Sequence, residues 1–93
     1  MAKASARHIL VSDEVVCNEL KKKILAGETT FEQAAKEYSQ CPSGQEGGDL
    51  GTFPRGVMVP EFDKVVFEEE VGVVHTVQTQ FGWHLLETTS RED

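Results

Sequence analysis

Cysteine is scarce in this chain: 93 residues contain two, Cys17 and Cys41. A small secreted domain held by disulfides usually carries more, so the fold must rest on a packed core. Long apolar runs are missing as well. None approaches the ~18 residues of a membrane-spanning helix, and no charged-then-apolar segment opens the chain as a secretory signal would. The expected compartment is the cytoplasm, or an organelle reached through a targeting segment removed beforehand. Basic charge is thin: the formal net charge is −7. Nucleic acid and anionic membranes select clustered Lys and Arg, so neither is an expected partner. The run Lys21-Lys22-Lys23 falls on the wet side of a helical pattern. Close ligand pairs such as C-x2-C or H-x3-H are absent too, which weighs against a zinc site built from His8, Cys41, His75 and His84. No metal or cofactor is expected.

Proline is also rare, and its placement is informative. All three prolines, with five of the eight glycines, lie between Cys41 and Phe62. Glycine permits positive φ, while proline fixes φ and removes a donor. A stretch so rich in both is expected to be neither helix nor regular strand. Long irregular loops in small domains are usually functional or disordered. This one carries Leu50, Phe53, Met58 and Phe62, so it reads as the wall of a binding site.

The remainder has the patterning of one α+β domain over residues 1–93, with 39% hydrophobic and 27% charged residues to make a single modest core. Ala4 to Val11 reads as a central strand, with Ala6, His8 and Leu10 on one face and Ile9 and Val11 on the other. Ser12 or Asp13 caps a helix whose stripe is Val16, Cys17, Leu20 and Ile24, and Gly27 stops it. Thr30 and Gln33 form a capping box before Phe31, Ala34, Ala35 and Tyr38, which recur at helical spacing. Asp49 to Phe53 is a brief strand. Pro60 opens a third helix with Phe62, Val65 and Val66 inside, and Glu68-Glu69-Glu70 opposes its dipole, so fraying is expected there. Val73 to Thr79 and Phe81 to Thr89 are strands, with His84, Leu86 and Thr88 sharing a face. Ser90 to Asp93 is expected to be a loose polar tail.

Few residues can do chemistry: His8, Cys41, His75 and His84. A Cys–His hydrolase would need a histidine and an orienting group beside Cys41. Pro42 withholds the amide that a local oxyanion hole would use. The better match lies in five motifs: His8-Ile9-Leu10-Val11, Cys41-Pro42-Ser43, Gly47-Gly48-Asp49-Leu50-Gly51, Met58-Val59-Pro60-Glu61-Phe62 and Thr79-Gln80-Phe81-Gly82-Trp83-His84. In this order they resemble the parvulin family of peptidyl-prolyl cis/trans isomerases, in its small stand-alone form.

The resemblance implies a four-stranded antiparallel sheet wrapped by helices, with the first and last strands central. It implies that His8 and His84 hydrogen-bond under the active site, that Cys41 faces the substrate, and that Thr79 joins the same polar network. Leu50, Met58 and Phe62 would line the proline pocket. Phe53 and Phe81 would be neighbours or parts of it, and Gln80 would lie near it. The implied activity is non-covalent rotation about X–Pro bonds of polypeptides by a monomer without a cofactor. The alternative is a peptide-binding chaperone module of the same fold with little catalysis. Phosphate preference is not expected, because Ser12-Asp13-Glu14 follows the first strand where phosphate-selective relatives carry cations. The chain departs from many relatives at Val77, where proline is common, and at Trp83, where tyrosine is.

Overall fold

A computed structural model describes residues 2–92. Its elements run β1 (Lys3–Val11), α1 (Glu14–Leu25), α2 (Phe31–Tyr38), a 3-10 turn (Pro42–Glu46), β2 (Asp49–Pro54), α3 (Pro60–Glu68), β3 (Val74–Thr79) and β4 (Gly82–Glu92). The strands form one antiparallel sheet in the order β2-β1-β4-β3. The first and last strands are therefore central, which explains why β1 is apolar on both faces.

Each face has its own core. Ile9, Val11 and Leu85 pack under α1 and α2 against Cys17, Leu20, Phe31, Ala34 and Ala35. Ala4, Ala6, Val77 and Leu86 pack under α3 against Phe62, Val66 and Phe67, and Phe53 closes that cluster. Phe67 belongs to this core although only Phe62, Val65 and Val66 stand out in the helical pattern. Cys17 is fully buried, and burial pushes its thiol up to about 11.

Caps follow local chemistry. The Asp13 carboxylate accepts the Val15 amide at 2.8 Å, and Thr30 Oγ1 accepts the Gln33 amide at 3.1 Å. The box at Thr30 is half made, because Gln33 Nε2 donates to Glu37 instead. No described helix is long and apolar enough to cross a membrane.

Two expectations are corrected. The stretch from Cys41 to Phe62 is less irregular than its composition implies: Pro42 opens an unexpected 3-10 turn, while the brief strand expected at Asp49 to Phe53 forms as β2 and runs on to Pro54 at the sheet edge, where a missing amide donor is tolerated. The polar end of the chain is ordered as strand, with Ser90 opposite Ser5 and Glu92 opposite Lys3; Asp93 lies outside the described residues. Arg91 also donates from Nη1 to the carbonyls of Val66 at 3.0 Å and Glu69 at 2.7 Å. The cation that the acidic end of α3 lacks thus comes from β4.

Candidate active site

Sheet register brings the two histidines together. In the β1–β4 ladder His8 pairs with Leu86 and Leu10 with His84. His8 and His84 are therefore diagonal neighbours on one face, within reach of each other's rings. The rings stack with centroids 5.4 Å apart, and their Nδ1 atoms lie 3.2 Å apart. In the β3–β4 ladder Val77 opposes His84 and Thr79 opposes Gly82, which sets Thr79 Oγ1 2.7 Å from His84 Nε2. Thr79 Oγ1 also accepts the Phe81 amide at 3.1 Å. At the other end Ser43 Oγ sits 3.1 Å from His8 Nε2. The row Ser43–His8–His84–Thr79 crosses the floor of the site.

The hydrogens in this row can be counted. A bond between two Nδ1 atoms needs one hydrogen. If His8 supplies it, neutral His84 carries its own on Nε2 and donates to Thr79, while His8 Nε2 accepts from Ser43. In the reverse arrangement Thr79 donates to His84, and His8 donates to Ser43. Two neutral imidazoles satisfy either direction. Burial favours that neutrality: both histidines are lowered from 6.5 to about 4, chiefly by burial, with the nearby His84 contributing to the shift of His8.

Above the row lies a cavity of about 360 Å³. Its apolar walls come from Leu10 of β1, Leu50 of β2, Met58 and Val59 before α3, Phe62 in the first turn of α3, and Phe81 in the β3–β4 turn. Phe62 stands edge-on to both imidazoles, 4.6 Å from the His84 ring centroid and 5.4 Å from that of His8. Its own ring is buried, whereas Phe81 is 62% exposed at the mouth. Gln40, Cys41 and Pro42 complete the lining. Gly48 permits the close approach that ties this loop to β1: its φ is +85°, and its carbonyl accepts the His8 amide at 2.9 Å.

The structure thus brings His8, Cys41, Leu50, Met58, Phe62, Thr79, Phe81 and His84 around one cavity. It does not bring Phe53 or Gln80 there. Phe53 is buried behind the pocket, edge-on to Phe67 at 6.2 Å, because β2 turns that side chain into the α3 core. Gln80 points out at the tip of the β3–β4 turn. His75 also stands apart, with Nε2 3.4 Å from the Glu70 carbonyl. Sequence reasoning missed the lining residues Leu10, Gln40, Pro42 and Val59, and in the polar row it missed Ser43. It falls within a quoted motif, but only the winding of the 3-10 turn aims its hydroxyl at His8. The four ring nitrogens of His8 and His84 are engaged by one another, Ser43 and Thr79. None serves as a base for the Cys41 thiol, so the site has no nucleophile–base pair of the Cys–His kind.

Comparison with known proteins shows the family of the chain. The family model described as rotamase, PPIC-type PPIase domain, matches residues 14–90. The foldase protein PrsA of Geobacillus kaustophilus is 46% identical over 92 residues, covering 97% of this chain and 32% of that protein. The chloroplastic rhodanese-like/PpiC domain-containing protein 12 of Arabidopsis thaliana is 43% identical over 97 residues, with 97% and 32% covered. Among solved structures, PrsA of Bacillus anthracis superposes with a TM-score of 0.92 at 40% identity, covering 99% of this chain and 43% of that one. NmPin, the parvulin of Nitrosopumilus maritimus, gives 0.84 at 32% identity, with 97% and 98% covered. The chain spans about a third of the length of the curated relatives it matches.

Proposed function

The chain belongs to the PPIC-type peptidyl-prolyl isomerase (parvulin) family, and on that premise we propose that it catalyses cis/trans isomerisation of X–Pro bonds in polypeptide clients. The observation that carries this reading is the apolar cavity over the buried His8–His84 pair, walled by Leu50, Met58, Phe62 and Phe81. The barrier to rotation is amide resonance, ~18–20 kcal/mol. Twisting the C–N bond breaks that resonance and shifts charge off the carbonyl. An apolar pocket that grips the proline ring, and keeps water from the carbonyl, binds the twisted form better than the planar one. Each tenfold in rate needs ~1.4 kcal/mol of that preference. His8 and His84, neutral and hydrogen-bonded to each other, serve as a rigid polar floor. Cys41 is a polar contact at the lip.

We read the clients as unphosphorylated. Among the described residues no Lys or Arg lines the cavity, and phosphate recognition requires such cations. We take the chain to act as a monomer. The unpaired Cys17 and Cys41 support a reducing, cytoplasm-like compartment.

The test is a protease-free isomerisation assay on a proline tetrapeptide, with refolding of a proline-limited protein as second substrate. Wild type should accelerate both. Met58→Ala and Phe62→Ala, each checked for folding by circular dichroism, should lose most of the acceleration. Peptide binding without acceleration would instead establish a binding module of the same fold. Faster turnover of phosphoserine-Pro than of Leu-Pro would overturn the phosphate reading.

A further inference from the structure

Gln40 borders the proline cavity, and the same residue borders a second cavity of about 160 Å³. Leu10 lines the first and Val11 the second, on opposite faces of the sheet, so the two cavities meet only at Gln40. A long side chain flanking the bound proline must therefore cross the gap that Gln40 spans beside β1. The exposed Gln40 amide reaches only weakly across it, with Nε2 3.5 Å from Ser12 Oγ. The rest of the lining is Val11, Ser12, Asp13, Val16 and Tyr38.

The chemistry of this second cavity is one-sided. Val11, Val16 and the half-exposed ring of Tyr38 offer apolar surface, and Asp13 brings the one carboxylate. That carboxylate is held in place, because its Oδ1 accepts the Val15 amide. Among the described residues no cation pairs with it. Asp13 and the adjacent Glu14 offset the positive end of α1, so an anion finds no welcome here. A long cationic side chain fits: its stem lies on apolar surface while its head meets a carboxylate beside an aromatic ring.

We propose that this second cavity is a specificity subsite that takes a Lys or Arg side chain flanking the bound proline. The proposal rests on the reading of the larger cavity as the proline pocket. Three peptides test it, with Lys, norleucine or Glu at the position before the proline, and three more vary the position after it. Turnover is read as kcat/KM, and binding as Kd by fluorescence anisotropy. At one of the two positions Lys should exceed norleucine by roughly two- to fivefold at low salt, the range of an exposed ion pair, with Glu weakest. The ratio should shrink in 0.5 M salt. It should approach one in Asp13→Asn, which removes the charge yet keeps a good helix cap. A Lys-to-norleucine ratio near one at both positions in wild type overturns the subsite. So does a preference that persists in Asp13→Asn. A chain that binds with the Lys preference but accelerates none of the peptides supports the subsite and overturns the isomerase reading.

Discussion

Acidification should destabilise this fold steeply between pH 7.5 and 5.5, and the His8–His84 pair should be the main cause. Both rings are buried, at 5% and 3% exposure, and burial holds both near 4 instead of 6.5. Well above pH 6.5 each is neutral whether the chain is folded or not. As pH falls below 6.5 the unfolded chain takes up protons that the folded pair refuses, so the unfolded state gains. For a group at 6.5 unfolded and held well below 5.5 in the fold, the loss between pH 7.5 and 5.5 is on the order of 1 kcal/mol. Two such groups lose on the order of 2–3 kcal/mol, a large share of the ~5–15 kcal/mol that stabilises a typical domain. Ordinary carboxylates stay ionised in both states over this window. The assay is urea unfolding at the two pH values in a His75→Gln background, which leaves His8 and His84 as the chain's histidines. With a urea slope at the low end of ~1–3 kcal/mol/M, the midpoint should drop by about 2 M. A drop below about 0.5 M would refute the reasoning. So would ring resonances titrating near 6.5 in the folded protein.

Four further outcomes follow from the site. Cys41→Ser should keep kcat/KM within about tenfold, because no imidazole nitrogen serves the thiol; a thousandfold loss would point to covalent chemistry. Thr79→Val should cost about 1–3 kcal/mol in urea unfolding, since the Phe81 amide and one His84 nitrogen lose their partner, and Thr79→Ser should recover most of it. Gly48→Ala should destabilise far more than Gly51→Ala. Both have positive φ, worth about 1–2 kcal/mol, but a Cβ at Gly48 collides with the His8 carbonyl while one at Gly51 meets open space. Phe81→Ala should leave the unfolding midpoint nearly unmoved and raise KM several-fold, because its ring is mostly exposed at the pocket mouth.

Much of the fold is legible because local physics repeats. The two-residue period of β1 and β4, the 3.6-residue stripes of α1 and α2, and the caps at Asp13 and Thr30 are each decided by neighbours in sequence. The same applies to the loop after α2 as a site wall: a chain that concentrates its prolines and glycines around Leu50, Met58 and Phe62 has little else to do with them. What escapes local physics is who meets whom. Phe53 and Phe81 look alike as aromatic residues near the motifs. β2 turns Phe53 into the core behind the pocket, while the β3–β4 turn leaves Phe81 at its mouth. Ser90 to Glu92 reads as a polar tail because strand pairing with Lys3 to Ser5 is a contact across the whole chain.

By itself the sequence determines most of the elements, the α+β class and the family, since each depends on residue types at short spacing or in a fixed order. Tertiary structure alone decides the row Ser43–His8–His84–Thr79. The register of β1 on β4 sets the two imidazoles 3.2 Å apart, and the 3-10 turn and the β3–β4 turn supply the hydroxyls that engage their outer nitrogens. It also decides that Gln40 stands between two cavities, because α2, β1 and the loop after α2 meet there only once the sheet has formed.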